Sequence, residues 1–312
     1  MTLRQQNILV FFVLFFTFVI WANAFTAIGL LRRSLGAWEL VELRFIPVGL
    51  ISSVLVAIFY RQEFASLVKN HPFSLIASGF LVVPAYNLAV NFGQGYVNAN
   101  AASLLSTLNP LFTLLLAHHF LGEPLTAKRL AGTLLAFGGL IVVMTWGKVG
   151  VTESVLFPLD KLHFAFIALL APLIWAVYNI VVKPLTSDCS PAALNFSVLA
   201  VGCLPLYPGL NSRLIGRALA LQSLEIYALA FLSLVCTIFA FYIWVLALKY
   251  WRASNASLFC FFNPPMTAIV AFFFLDLRIS AWFFIGAAVM LAGVALAVFR
   301  EGARARPVKP VL

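Results

Sequence analysis

Charge is scarce in this chain. Of its 312 residues only 10% are charged, and Asp and Glu together number 10. A water-soluble domain carries roughly 25% charged residues. Such a chain cannot cover a water-facing surface, which excludes a soluble globular protein. The net charge is +10, but Lys and Arg sit mostly at the ends of apolar runs. That placement points to membrane topology and lipid headgroups. It forms no basic stripe, so no nucleic-acid partner is expected. Cysteine is sparse as well. Cys189, Cys203, Cys236 and Cys260 show no CxxC and no framework spacing, and three of them lie in apolar runs as small hydrophobes. No GxxxxGK[ST] loop is present, which excludes an ATP-driven pump on this chain. His71, His118, His119 and His163 all fall at or near the ends of runs. His118 and His119 are adjacent, so on a helix they point ~100° apart and cannot easily share an ion. No metal and no cofactor are expected.

Long apolar runs are what the chain has. Hydrophobic residues make up 63% and the mean hydropathy is +1.04. A membrane-crossing helix needs ~20 mostly apolar residues. Runs of that size fall at 7–30, 37–60, 73–94, 97–120, 127–146, 162–183, 190–210, 223–249, 253–276 and 281–299. The expectation is an all-α integral membrane protein of ten transmembrane helices. Short links carry turn and charge signals, as in Asn70-His71-Pro72 and Gly122-Glu123-Pro124. The longest links are Gly147–Lys161 and Asn211–Gln222, and the basic stretch from Arg300 reads as a disordered, headgroup-facing tail. Ala22-Asn23-Ala24 imitates a signal-peptidase site, but Trp21 takes part in the repeat described next, so the first run is expected to stay in the mature protein. Of 20 Lys and Arg, seven (Arg32, Arg33, Lys148, Lys161, Arg213, Arg217, Arg278) fall on one side, Arg44 lies within a run, and the other 12 share the side of the N-terminus. That bias puts both termini in the cytoplasm of a cell-membrane protein.

The two halves of the chain repeat. A shift of 154 residues (175 − 21) brings Trp21 onto Trp175, Tyr96 onto Tyr250, Ser103 onto Ser257 and Asn109-Pro110 onto Asn263-Pro264. The same shift brings Gly132 onto Gly286 and Gly139 onto Gly293. Two five-helix repeats follow, residues 1–150 and 151–300, with the tail at 301–312. Five is odd, so the second repeat enters the membrane inverted. Inverted repeats place the functional site at their interface, near the bilayer midplane.

The residues also carry a resemblance. Ile20-Trp21-Ala22, Leu43-Arg44-Phe45, Ala101-Ala102-Ser103-Leu104-Leu105 leading to Asn109-Pro110, and Gly122-Glu123-Pro124-Leu125 before Gly132 are similar to the EamA type of the drug/metabolite transporter superfamily. The second half carries Ile174-Trp175-Ala176, Ala256-Ser257 and Asn263-Pro264. It has Asp276-Leu277 where the first has Gly122-Glu123, and Ser197-Val198-Leu199 where the first has Leu-Arg-Phe. The resemblance implies ten helices in inverted repeats, both termini cytoplasmic, and a central cavity. It also implies transport of amino acids or other small metabolites, often outward.

The expected substrate-binding residues follow from position in the runs. Trp21 and Trp175 lie a little past the middle of theirs, as a cavity wall or as helix packing. Asn87 and Asn91 share a face of the third run beside Tyr86. Asn100, Ser103, Thr107 and Pro110 share a face of the fourth. Tyr178, Asn179 and Ser257 are their neighbours or counterparts in the second half. Buried amides in hydrocarbon must face protein or water, either as cavity lining or as interhelical glue. Asn109-Pro110 and Asn263-Pro264 break the helical ladder and are candidate hinges. Glu39, Glu42 and Arg44 are charges in the outer part of the second run. Glu42 and Arg44 are candidate coupling groups, while Glu39 and Arg44 could equally snorkel to the interface. Gly132, Ala136 and Gly139 form a small-residue packing stripe.

The expected function is a transporter of small organic metabolites, working by alternating access as a passive or exchange-type carrier. The partners are the solute and the bilayer, and the oligomeric state is left open. The rivals are a membrane-embedded enzyme and a non-transporting receptor.

Overall fold

A computed structural model of the chain describes residues 3–94, 106–146, 162–263, 265–266 and 280–298. Asn100, Ser103 and Pro264 lie outside the described residues. The described residues form helices and no β-strand. We number the helices in chain order: α1 (Leu3–Leu31), α2 (Ala37–Phe59), α3 (Arg61–Asn70), and α4, which runs as Pro72–Phe80, a π-helical Leu81–Ala85 and Tyr86–Gln94. Then come α5 (Asn109–Leu121), α6 (Ala127–Trp146), α7 (Leu162–Leu185) and α8 (Pro191–Cys203), the last continued by a 3₁₀ stretch, Leu204–Gly209. Next are α9 (Ser212–Leu219) and α10, which runs as Ser223–Ala230, a π-helical Phe231–Phe239 and Ala240–Tyr250. The series ends with α11 (Ala253–Ser257, then 3₁₀ Leu258–Phe262) and α12 (Ala281–Val298).

Among the described residues five helical stretches are long and apolar enough to cross a membrane: Leu9–Leu31, Ala37–Phe59, Pro72–Phe92, Pro191–Gly209 and Ser223–Tyr250. Shorter apolar helices lie at Leu169–Leu185, Ala253–Phe262 and Ala281–Ala297. Side-chain placement is the reverse of a soluble domain. Phe16, Ile58, Phe59, Phe73 and Phe284 stand exposed, while Thr107, Thr113, Asn179, Ser197 and Ser257 are buried. Only hydrocarbon tolerates that exterior, and only a protein interior tolerates those hydroxyls and amides. The chain is a multi-pass membrane protein.

The stretch between the second and third runs forms helix α3, and the Asn211–Gln222 link holds helix α9. In α9 the side chain of Asn211 accepts from the Leu214 N–H, the usual N-cap bond. Leu214 turns inward while Arg213 and Arg217 reach out to Glu39 at 3.5 and 3.6 Å. Both helices are too short and polar to register in a search for membrane-length runs. Asn109-Pro110 stands at the first turn of α5, just after a turn at 107–108, where the missing proline N–H costs no helical hydrogen bond.

The small-residue stripe brings backbones together. A Cβ on Gly132 would meet the Ala297 N at 2.6 Å and the Gly293 O at 2.7 Å, and one on Gly286 would meet the Gly139 O at 2.7 Å. Gly132 therefore opposes Gly293, and Gly139 opposes Gly286, across α6 and α12. The 154-residue shift turns each of these contacts into the other.

Candidate functional site

Trp21 of α1 and Trp175 of α7 meet edge to face with ring centroids 5.3 Å apart. The 154-residue shift pairs the two, so each half of the chain contributes one indole to this contact. Around them Phe241 and Trp244 of α10 lie 5.6–5.9 Å from one or both indoles, and Tyr86 lies 4.8 Å from Trp175. Of these rings Trp21, Trp175, Tyr86 and Phe241 wall a cavity of about 60 Å³ whose lining also includes Phe18, Arg44, Asn87, Asn109, Cys260 and Asn263. Both halves contribute to it. At ~10–15 Å³ per water-sized occupant, it holds about four to six non-hydrogen atoms as it stands.

Two π-helical segments flank the cavity, a feature frequent at functional sites. In α4, Pro84 has no N–H to give to the preceding turn. One turn on, the Asn87 amide donates to Val82 O at 2.8 Å and Val83 O at 3.1 Å. In α10, the Thr237 hydroxyl donates to Leu232 O at 2.8 Å, and the Cys236 carbonyl accepts from the Trp21 indole N–H at 2.9 Å.

Arg44 of α2 turns inward rather than to the interface, and it is the one charged residue lining the cavity among the described residues. Its Nε and Nη2 donate to the Thr237 hydroxyl oxygen at 3.0 and 2.8 Å, and Nη1 donates to Asn87 Oδ1 at 3.1 Å. Glu42, two residues earlier, points elsewhere. Its carboxylate accepts from the Trp38 indole and occupies the place where a Cβ of Gly209 would stand. The two candidate coupling groups are thus separated. Glu39 accepts from the Gly36 N–H at its own helix start.

Other expected residues are spent on packing. Trp244 Nε1 donates to Asn179 Oδ1 at 3.0 Å, Asn179 Nδ2 to Thr113 Oγ1 at 3.5 Å, and Thr113 Oγ1 to Asn109 Oδ1 at 2.9 Å. This relay runs from α10 through α7 to α5 and ends at the cavity wall. Asn91 donates to Ala37 O at 3.3 Å, Ser257 donates to Ser254 O at 2.9 Å, and Thr107 is fully buried. Tyr178 is buried behind Trp175, 5.4 Å away. Pro110 is buried beside Asn109. Sequence reasoning missed Phe18, Thr237, Phe241 and Trp244. For Phe241 and Trp244 a signal existed, since they are aromatic at a spacing of three within an apolar run.

A second polar cluster ties the halves at the break between α10 and α11. Gly122, at φ +63°, closes α5 in the left-handed conformation and turns Glu123 toward α11. The Glu123 carboxylate accepts from the Ala253 N–H at 2.8 Å, the Ser254 N–H at 3.3 Å and the Ser254 hydroxyl. Arg129 donates to Ser254 Oγ at 2.6 Å, to Pro124 O at 2.7 Å and to Asn255 Oδ1. Lys183 donates to Leu248 O and, at 2.9 Å, to Trp251 O. His118 Nδ1 lies 2.9 Å from Glu123 O, and His119 packs edge-on to Phe120.

Comparison with known proteins gives one consistent picture. The family model for the EamA-like transporter family matches residues 8–145 and again 163–299. An "Uncharacterized transporter" of Archaeoglobus fulgidus is 27% identical over 286 residues, 92% of this chain and 97% of its own. A "Probable terminal-alkyne amino-acid exporter" of Streptantibioticus cattleyicolor is 28% identical over 284 residues, 90% of each chain. A "Probable amino-acid metabolite efflux pump" of Escherichia coli is 30% identical over 222 residues, 68% of this chain and 70% of its own. A solved crystal structure shares the fold with a TM-score of 0.71 at 17% identity, covering 93% of this chain and 95% of that one.

Proposed function

The chain belongs to the EamA-like transporter family, and on that premise we propose a carrier that moves amino acids or closely related metabolites outward across the cell membrane. The observation that carries this reading is a cavity walled by both halves, each contributing one indole to its aromatic centre. The repeated family match and the exchanged glycine contacts support two five-helix halves, residues 1–150 and 151–300, of inverted topology. Inverted repeats rocking about such a site give alternating access. Asn109-Pro110 and Asn263-Pro264 are the proposed hinges. The names of the S. cattleyicolor and E. coli relatives support amino-acid solutes and the outward direction. The Lys and Arg bias supports cytoplasmic termini.

Transport is proposed to be passive or exchange-type. Among the described residues, no Asp, Glu or His lines the cavity. The test is flux of radiolabelled amino acids in proteoliposomes at equal concentration on both sides, with and without an imposed pH gradient. Exchange without net accumulation is expected, and Trp21→Ala or Trp175→Ala should reduce it more than they reduce folded yield. Accumulation driven by the gradient and abolished by Glu42→Gln would overturn the passive reading. Binding without any flux would make the protein a receptor.

A further inference from the structure

We propose that Arg44 anchors a carboxylate of the transported solute, so that the cavity selects carboxylate-bearing zwitterions over the corresponding amides and amines; this rests on the carrier reading above. Arg44 is 6% exposed. The ion pairs found among the described residues join His71 to Asp188 and Arg213 and Arg217 to Glu39, and none includes Arg44. A buried charge without a counter-charge is costly. Neutral oxygens of Thr237 and Asn87 offset part of that cost, and a carboxylate in the cavity would offset the rest.

The geometry fits this occupant. Guanidinium has five N–H groups, and the bonds to Thr237 and Asn87 use three of them. One hydrogen remains on each of Nη1 and Nη2, the pair that a carboxylate takes in a two-pronged contact. The fork is also held in place. The Thr237 hydroxyl hydrogen is spent on Leu232 O, and the Asn87 amide hydrogens are spent on Val82 and Val83. Their oxygens are therefore fixed toward Arg44 before any solute arrives, the kind of second-layer support a precise binding group needs.

The polar pole is also where the repeat breaks. The 154-residue shift sets Arg44 against Val198 and Asn87 against Phe241. Among the described residues the cavity therefore takes its charge from the first half alone. A zwitterion has matching ends, with its carboxylate on Arg44 and its ammonium and side chain against the faces of Trp21 and Trp175.

The test uses the full chain in lipid nanodiscs and equilibrium binding of L-alanine, L-norvaline and L-leucine, each against its amide and its decarboxylated amine. The wild type should prefer the acids by about tenfold or more, the loss expected when a buried charged donor is left without its partner. Arg44→Gln should bring acid and amide within about twofold. Arg44→Lys, which keeps the charge but loses the fork, should fall between. The wild-type preference and Arg44→Lys carry the test where Arg44→Gln does not fold. The assignment is overturned by a wild type that binds acid and amide within twofold, by a wild type that binds no acid of the panel, or by a folded Arg44→Gln that keeps the tenfold preference. Flux of amides or amines without acid preference would leave the carrier reading standing and remove this one. Acid-selective binding with no flux would do the reverse.

Discussion

Replacing Glu123 should loosen the conformation described here. Its carboxylate is 6% exposed and accepts from the Ala253 and Ser254 N–H groups and the Ser254 hydroxyl. These N–H groups open α11 and have no partner within their own helix. A hydrogen bond to a charged group contributes about 1.5–3 kcal/mol, and such contributions do not add fully. Glu123→Ala strands two buried donors, and we take ~3 kcal/mol as the net loss. On the proposed alternating-access reading this break parts from α5 in the opposite state, so the loss falls on one state alone. A bias of ~3 kcal/mol shifts the ratio of states by about 150-fold. Cys260 reports the shift, because it lines the cavity and is 6% exposed. With the other three cysteines replaced, labelling of Cys260 by a small methanethiosulfonate follows the open fraction. Glu123→Ala should raise the rate by at least about tenfold. Glu123→Gln keeps an accepting oxygen and should raise it less. Unchanged rates, within twofold, in a monodisperse Glu123→Ala protein would show that these bonds do not distinguish the two states.

Three shorter expectations follow from other parts of the fold. Gly286→Leu drives a side chain into the Gly139 carbonyl and the Val143 N at 2.7 and 2.8 Å; it should cost about 1–3 kcal/mol and lower the melting temperature in scanning fluorimetry, and an unchanged midpoint would refute the close packing of α6 on α12. Burial pushes the Cys189 thiol up to about 12, with the neighbouring Glu63 charge adding to the rise and Lys249 opposing it; the thiol stays protonated at pH 8, so maleimide should label it in denatured protein only, and rapid labelling of the native protein would contradict its placement. Single cysteines at Lys128 and Lys161 should react with an impermeant thiol reagent from opposite sides of the membrane, and labelling of both from one side would remove the inverted five-plus-five arrangement.

Much of the scaffold was legible because hydrocarbon imposes simple rules. Apolar length announced the five spanning stretches among the described residues, and the shared 154-residue spacing anticipated the contacts of Trp21 with Trp175 and of the paired glycines. The site was only partly legible. A polar residue buried in a membrane must face protein, but its position on a helix does not distinguish a cavity from a neighbouring side chain. Asn87 and Asn179 illustrate this: one lines the cavity, while the other joins Trp244 to Thr113. Thr237 and Phe241 were missed because the π-helical stretch Phe231–Phe239 changes the turn length, so a 3.6-residue period no longer says which face a residue occupies. The parting of Glu42 and Arg44 was legible, since two residues on a helix are about 200° apart. Glu123 read as a turn residue because its partners, Ala253 and Ser254, lie in the other half.

The placement of Arg44 bears on energetics as well as on selectivity. A carrier returning empty must move through its transition with the guanidinium facing only Thr237 and Asn87. A loaded carrier makes the same movement with a carboxylate beside that charge. An uncompensated buried charge costs several kcal/mol more than a paired one, and any water that offsets this in the open states has to be shed as the cavity closes. The empty return is then the slow step, and exchange of one solute for another avoids it. A proton gradient finds no acid or histidine lining the cavity among the described residues, and Glu42 is held on Trp38 away from Arg44. One fixed positive charge, placed where the two halves differ, thus predicts together a preference for carboxylates, exchange faster than net flux, and indifference to pH gradients.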